Sequence, residues 1–421
     1  MQNKLEKTLG LYSAVGLAIT MVVGSGLLIL PGLAYVQAGG AAIYAWIISA
    51  VVSIPLLIVF AKLGAELPGA GGVAGFMQAG FSRRSGAATE ILILGTIPGG
   101  AALAITGGKY ISSLFNGDQS IVVLGTLFVL LIGGFVNYFG AKVSGKVQQG
   151  LAIVLVLMLA LVAAVALLFG DTSRGEGIAP LPQALNTLPT VGLVFFAFVG
   201  WELMSFTSEE FKNPKRDFPL MIVISFVIVV ALYLLVAATI QCVLPRTHPE
   251  LTQAPIASVL AIALGDKSAK VISFIGILVA VANFISVVWA FSRLSFSSAR
   301  EGLLPGFLAI TNSELKVPRF AVIASIAAFS AVSLLYFTGI TSQTILFELA
   351  GISFFFSYIL AVVAYIRKSK SNLSQGFGVL TFLAICLVFI GFGFKIVYPI
   401  ALFALGYLIH AIRHSTKKRG V

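Results

Sequence analysis

Val22-Val23-Gly24-Ser25-Gly26, with Pro31-Gly32 close behind, and Phe195-Phe196-Ala197-Phe198-Val199-Gly200-Trp201-Glu202 are the two stretches whose reading decides the fold. Each interrupts a long apolar run. A glycine inside a helix costs about 1 kcal/mol relative to alanine. In lipid, irregular backbone survives only where protein buries it or a cavity borders it. The second stretch also sets an acid beside its glycine, and an ionisable residue within a membrane is costly enough to mark a function. Both stretches predict membrane helices that unwind halfway across.

The rest of the chain supports a membrane reading. Of its 421 residues, 59% are hydrophobic and 10% are charged, against about 25% charged in soluble domains. So little charge cannot clothe a soluble protein of this length, and disorder requires the opposite composition. The net charge of +12 does not point to nucleic acid, because Lys and Arg stand in short clusters between apolar runs. Cys242 and Cys386 are too few for a disulfide framework and read as small packing residues. The run from Gly10 to Val36 is too long for a signal-peptide core and reads as a retained first span.

A helix needs about 20 residues to cross the hydrocarbon core. Twelve stretches qualify: Gly10 to Val36, Ala41 to Ala61, Ala87 to Ile111, Ser120 to Phe139, Gln149 to Phe169, Leu188 to Thr207, Pro219 to Val243, Val271 to Ala290, Phe320 to Thr338, Thr344 to Ile366, Phe377 to Gly391 and Val397 to Ile412. With this count, only Lys109, Arg174, Arg246, Lys267, Lys270 and Lys395 of the 27 Lys and Arg fall on the side opposite the N-terminus. Basic residues mark the cytoplasmic side, so both termini are expected there. The bilayer is the solvent and the cytoplasmic membrane the expected location.

The breaks fall in spans one and six. Two units of five helices, residues 10–169 and 188–366, would each begin with a broken helix, followed by two further helices over 377–412, all in one domain. An odd number of helices per unit inverts the second unit relative to the first. Interrupted segments at corresponding places in two inverted halves point to a transporter site.

Such a site has specific chemistry. A half-helix starting near Ser25 and Gly26 offers free N–H groups and a positive dipole end, which suit a carboxylate. Carbonyls near Val22, Phe198 and Val199 suit an ammonium group or a cation. A ligand with both charges a few ångströms apart is an α-amino acid. Phe195, Phe196, Phe198 and Trp201 would wall in its side chain, with Gly24 and Gly200 allowing close backbone approach. Glu202 fits two roles, a hydrogen-bond acceptor that holds the break or a carrier of the coupling proton. Small residues also permit plain helix packing, which is a competing account of Gly24 and Gly26.

Other polar residues are weaker candidates. Glu90 is expected near the interface and Glu348 within reach of outside water. His248, His410 and His414 form no metal cluster. No nucleophile–base pair, Walker loop or dinucleotide fingerprint is present, so neither an enzyme nor a resident cofactor is expected; H+ or Na+ remain as coupling ions. Pro68 to Gly75 reads as a gate or re-entrant turn, Ser208 to Pro219 as a charged turn that pins the cytoplasmic side, and Ile256 to Leu264 as a short piece on the outer surface.

Taken together, Gly24-Ser25-Gly26, the Pro68 to Gly75 run, Phe196-Ala197-Phe198-Val199-Gly200-Trp201-Glu202, Lys212-Asn213-Pro214-Lys215-Arg216 and Arg300-Glu301-Gly302-Leu303-Leu304-Pro305 resemble the amino acid–polyamine–organocation transporters. The likeness spans nearly the whole chain and looks closest to the bacterial methionine and branched-chain amino acid exporter branch. It implies an all-α, LeuT-like fold of ten core helices in two inverted repeats plus two more. It implies substrate among spans one, three, six, eight and ten, the carboxylate on the Ser25 and Gly26 amides, the amino group on the Val22, Phe198 and Val199 carbonyls, and Phe196 as the gate. Some relatives use a lysine within the fifth span in place of sodium; here Leu151 to Leu168 carries no charge. The expected activity is alternating-access transport of neutral, mainly apolar amino acids (methionine, leucine, isoleucine, valine), with export expected. Uptake or exchange is the alternative within the fold, and an ion channel the alternative outside it.

Overall fold

The computed structural model describes residues 5–69, 71–115, 118–252, 255–265, 269–311, 317–390 and 393–419. The side chains of Ser25 and Phe196 lie outside the described part. Among the described residues the chain is helical apart from loops and one isolated bridge, Leu9 to Phe211.

The first span is two helices, α1 (Leu11–Val22) and α2 (Ser25–Ala38), parted at Val23-Gly24. The second is α3 (Ala42–Glu66), followed by a short helix α4 (Val73–Gly80). The third is again divided, into α5 (Arg83–Leu94) and α6 (Ile97–Leu114). Spans four and five are α7 (Gln119–Tyr138) and α8 (Ala141–Phe169). The sixth is α9 (Leu188–Phe195), a 3-10 turn over Phe196–Phe198, and α10 (Trp201–Ser205). The seventh is α11 (Pro214–Val243), followed by the outlying α12 (Pro255–Leu264). Spans eight to twelve are α13 (Ala269–Arg300), α14 (Arg319–Phe337), α15 (Gln343–Lys368), α16 (Asn372–Ile390) and α17 (Val397–Arg419).

This is an all-α polytopic fold of twelve spans, two inverted sets of five and two terminal helices. Nine stretches of the described residues are helical, long and apolar enough to cross a membrane unaided. Length alone misses the first and sixth spans because α1 has 12 residues and the sixth span is cut into α9 and α10. α13 is the most enclosed of the long helices, and α7, α8 and α14 turn apolar side chains such as Leu131, Leu161 and Leu334 outward to lipid.

The helix ends differ from the sequence expectation in several places. α8 starts eight residues early, at Ala141 rather than Gln149, and α13 runs ten past Ala290 to Arg300. Polar and basic residues continue both helices beyond the hydrocarbon, which an apolar window cannot register. Residues 68–75 are only partly the turn expected, because Val73 starts α4 and its Phe76 and Met77 are buried. Glu90 turns into the protein: it is 3% exposed, and Ser297 Oγ donates to its Oε1 at 3.3 Å. Glu348 pairs with Lys395 at 2.8 Å on an exposed end of the bundle, which accounts for an acid so near the tenth span. α12 lies against α2, α8 and α11 with Ile256, Val259 and Leu260 buried.

The face carrying the start of α1 is closed by one ion pair out of water and a second that is partly exposed. Glu210 accepts from Arg293 at 2.7 Å and from Trp289 Nε1 at 2.5 Å, and the two charged side chains are 3% and 1% exposed. Glu209 pairs with Arg300 at 2.8 Å and accepts from the Leu5 N–H, while Leu9 and Phe211 join their backbones. The acids of the charged turn thus bind α13 and the N-terminal segment rather than each other. Ser208 ties this layer to the loop before α4 through Gly69.

Candidate functional site

A helix leaves its last four carbonyls without helical partners, and buried polar groups must be paired. At the end of α1 the partners come from other spans. The Asn283 side-chain amide on α13 donates to Thr20 O at 2.9 Å and to Met21 O at 2.7 Å. The Tyr233 hydroxyl on α11 lies 3.0 Å from both Val22 O and Ala197 O, so one proton is shared between the first and sixth spans.

The sixth span parts differently. Gly200 takes φ +130°, a region L side chains rarely enter, and a Cβ there would stand 3.3 Å from Met21 O. Its N–H donates to Glu202 Oε2 at 3.0 Å and lies 3.2 Å from the Tyr358 hydroxyl, which donates to the same carboxylate oxygen. Glu202 is fully buried and does not line the cavity described below. Its Oε1 has no partner among the described residues.

Between the breaks lies a cavity of about 100 Å³, room for several water-sized groups. Val22, Gly24, Gly26, Val199 and Gly200 border it. Phe198 and Trp201 do not. Phe198 is wedged between Trp46 and Tyr233, at 6.3 and 5.4 Å between ring centroids, and Trp201 packs on Phe226. Phe195 likewise faces Phe355. The apolar wall comes instead from Leu103 on α6, Val287 and Phe291 on α13, and Phe347 and Phe354 on α15. Ser25 opens α2 with its backbone; its side chain and that of Phe196, the expected gate, are outside the description. Val22 O is already engaged by Tyr233, leaving one lone pair for a ligand.

Sequence reasoning missed three contributors. Asn283 and Tyr233 look ordinary in their runs, and nothing local announces that they meet the first break. Thr96 borders the cavity at the interruption between α5 and α6. That interruption had a signal: Pro98 cannot donate back to Leu94 and its ring crowds the preceding turn, with Gly95 and Gly99-Gly100 on either side.

No residue described on the wall carries a formal charge. The charged ends of a ligand would meet backbone instead: the opening amides of α2 at one end, carbonyls of the unwound Phe198-Val199 stretch at the other. Helix N-termini favour anions through aligned N–H groups.

A broken-helix membrane bundle around a small uncharged cavity defines a transporter of the LeuT-like class. The chain belongs to the amino acid permease family, whose family model matches residues 9–414, within the amino acid–polyamine–organocation transporters. Among similar proteins, the uncharacterized amino acid permease YecA of Bacillus subtilis is 25% identical over 100% of this chain and 99% of its own. The L-methionine/branched-chain amino acid exporter YjeH of Escherichia coli is 29% identical over 70% of this chain and 71% of its own. The crystal structure of MhsT in complex with L-phenylalanine superposes with a TM-score of 0.65 over 93% of this chain and 99% of that one, at 12% identity. That likeness concerns the fold.

Proposed function

We propose that the chain exports neutral, mainly apolar L-amino acids, methionine, leucine, isoleucine and valine, across a bacterial cytoplasmic membrane by alternating access. The observation that carries this reading is the uncharged, largely apolar cavity set against the open amide end of α2. A basic or acidic side chain would need a buried counter-charge, and none borders the cavity among the described residues. The likeness to the Escherichia coli L-methionine/branched-chain amino acid exporter supports the substrate class and the direction. In this reading Ser25 and Gly26 amides take the carboxylate, and the Phe198 and Val199 carbonyls take the ammonium group. Both termini are cytoplasmic, as the distribution of Lys and Arg supports. The Glu210–Arg293 layer is then the cytoplasmic barrier that must part when the cavity opens inward.

Exchange is the second reading, supported by the name of the Bacillus subtilis serine/threonine exchanger SteT, 27% identical over 86% of this chain and 83% of its own. Cells loaded with methionine and leucine dipeptides test direction. Export lowers the internal amino acid pools when the chain is expressed; unchanged pools overturn it. Release that depends on external amino acid favours exchange.

A further inference from the structure

The carbonyls that close α1 carry the negative end of a helix dipole, equivalent to about half an elementary charge. Thr20 O and Met21 O lose their helical donors because the chain unwinds at Val23-Gly24. Both residues are buried, Met21 at the wall of the cavity, and both carbonyls face the middle of α13. Thr20 Oγ1 and Ser286 Oγ, 2.8 Å apart and fully buried, lie on the same two helices one turn away. The hydroxyls also bond back along their own helices, so the two stranded carbonyls are the oxygens left for a ligand; hard cations take such oxygens, and half-helix C-terminal ends in transporters do coordinate ions.

Here a side chain takes that place. Asn283 Nδ2 sits 2.9 Å from Thr20 O and 2.7 Å from Met21 O. Carbonyls only accept, so both amide hydrogens must point at them, and the orientation of the amide is fixed by the bonds it makes. Gly24 leaves room for it: a Cβ there would lie 3.2 Å from Nδ2. The fifth span, α8, offers no charge in this region, since its interior from Leu151 to Leu168 has none.

We propose that the Asn283 amide stands in for a cation at the end of α1, so that the first break is held together without bound sodium. The inference rests on reading the break as the transport site. It narrows coupling at this site to something other than sodium.

The test is thermal unfolding of the purified full-length protein in detergent, in sodium chloride and in choline chloride at equal concentration. The wild-type midpoint is the same in both salts; a higher midpoint in sodium overturns the proposal. Asn283→Asp turns the donor into an acceptor and completes an oxygen cage, so its midpoint rises in sodium by about 2 °C or more. A folded Asn283→Asp that ignores sodium also overturns it. Should that variant fail to fold, Asn283→Ser, which frees both carbonyls and adds a hydroxyl, carries the same expectation. Leucine flux in liposomes reads the transport assignment apart from this. A chain that moves no amino acid in either salt fails that assignment, whereas one that moves it only in sodium fails the present inference.

Discussion

At the first break the groups stranded by unwinding are carbonyls, and spans seven and eight supply the donors, Tyr233 and Asn283. At the sixth break Tyr233 holds a carbonyl as well, Ala197 O, but an N–H is also stranded, that of Gly200, and the chain itself supplies its acceptor two residues on, Glu202, braced by Tyr358. The consequence is an asymmetry in what each break has left to offer. α2 begins with no side-chain cap on its amides, whereas the amide that opens onto α10 is already occupied by a carboxylate. On the proposed reading an incoming carboxylate meets open donors at the first break, while at the sixth a carboxylate already holds the amide. The two breaks would then have different work, the first receiving an anion and the sixth fixing a backbone shape or holding a proton.

That difference predicts a ranking of glycine substitutions. Gly200→Val combines a left-handed φ of +130° with a Cβ 3.3 Å from Met21 O. Left-handed strain in an ordinary residue costs about 1–3 kcal/mol, and branching adds to it. The expected outcome is the largest in the set: poor recovery of folded protein from membranes and no measurable flux. Gly24→Ala at the first break, where φ is −115°, costs markedly less. Equal losses of thermal stability in the two variants would erase the distinction drawn above.

Next in size is Tyr233→Phe. It leaves Val22 O and Ala197 O to share no donor, and each buried group left unpaired costs about 1–3 kcal/mol. Unfolding at lower temperature and a raised KM are expected together, because the hydroxyl holds the two breaks in register. A variant with unchanged stability would mean the link between the breaks carries nothing.

The sequence revealed the breaks but not their partners, for a physical reason. A glycine pair in an apolar run and an acid beside a glycine violate the local rules of a lipid-embedded helix, so Gly24, Gly26, Gly200 and Glu202 stand out unaided. Tyr233 and Asn283 violate nothing locally. They matter because α11 and α13 bring them against α1, and contacts between distant spans leave no periodic trace. The same reasoning explains the wall: Phe198 and Trp201 are near the break in sequence, whereas the apolar wall of the cavity is assembled from α6, α13 and α15. The number of spans was readable because charge placement and apolar length both report on the bilayer, and those signals accumulate along the whole chain.

A smaller effect, confined to binding, is expected of Gly26→Val. The atoms nearest a Cβ at Gly26 are Leu30 Cδ1, at 3.2 Å, with Leu30 Cγ and the Ala197 Cα at 3.9 Å, so a flexible side chain can give way and the bundle accommodates it while the cavity loses space beside the α2 amides. Substrate affinity should fall tenfold or more, about 1.4 kcal/mol, with the unfolding midpoint nearly unchanged. Normal affinity, read by scintillation proximity with labelled leucine, would remove the first break from the site.

The smallest expected effect is that of Glu202→Gln, and it decides what the sixth break is for. A glutamine of the same length still presents Oε1 as an acceptor to the Gly200 N–H and the Tyr358 hydroxyl, so the backbone shape survives, and the amide hydrogens left without a partner cost about 1 kcal/mol. Removing the side chain altogether, as in Glu202→Ala, strands the Gly200 N–H and costs more. If Glu202 serves as a clamp, leucine flux across a series of external pH values has the same profile in Glu202→Gln as in the wild type. If it carries the coupling proton, the variant loses its pH dependence and its ability to concentrate substrate on a proton gradient, while still exchanging substrate at equilibrium. The carboxylate's Oε1, without a partner among the described residues, is where a transported proton would sit, so the comparison of Gln with Ala separates the shape of the break from the charge it holds.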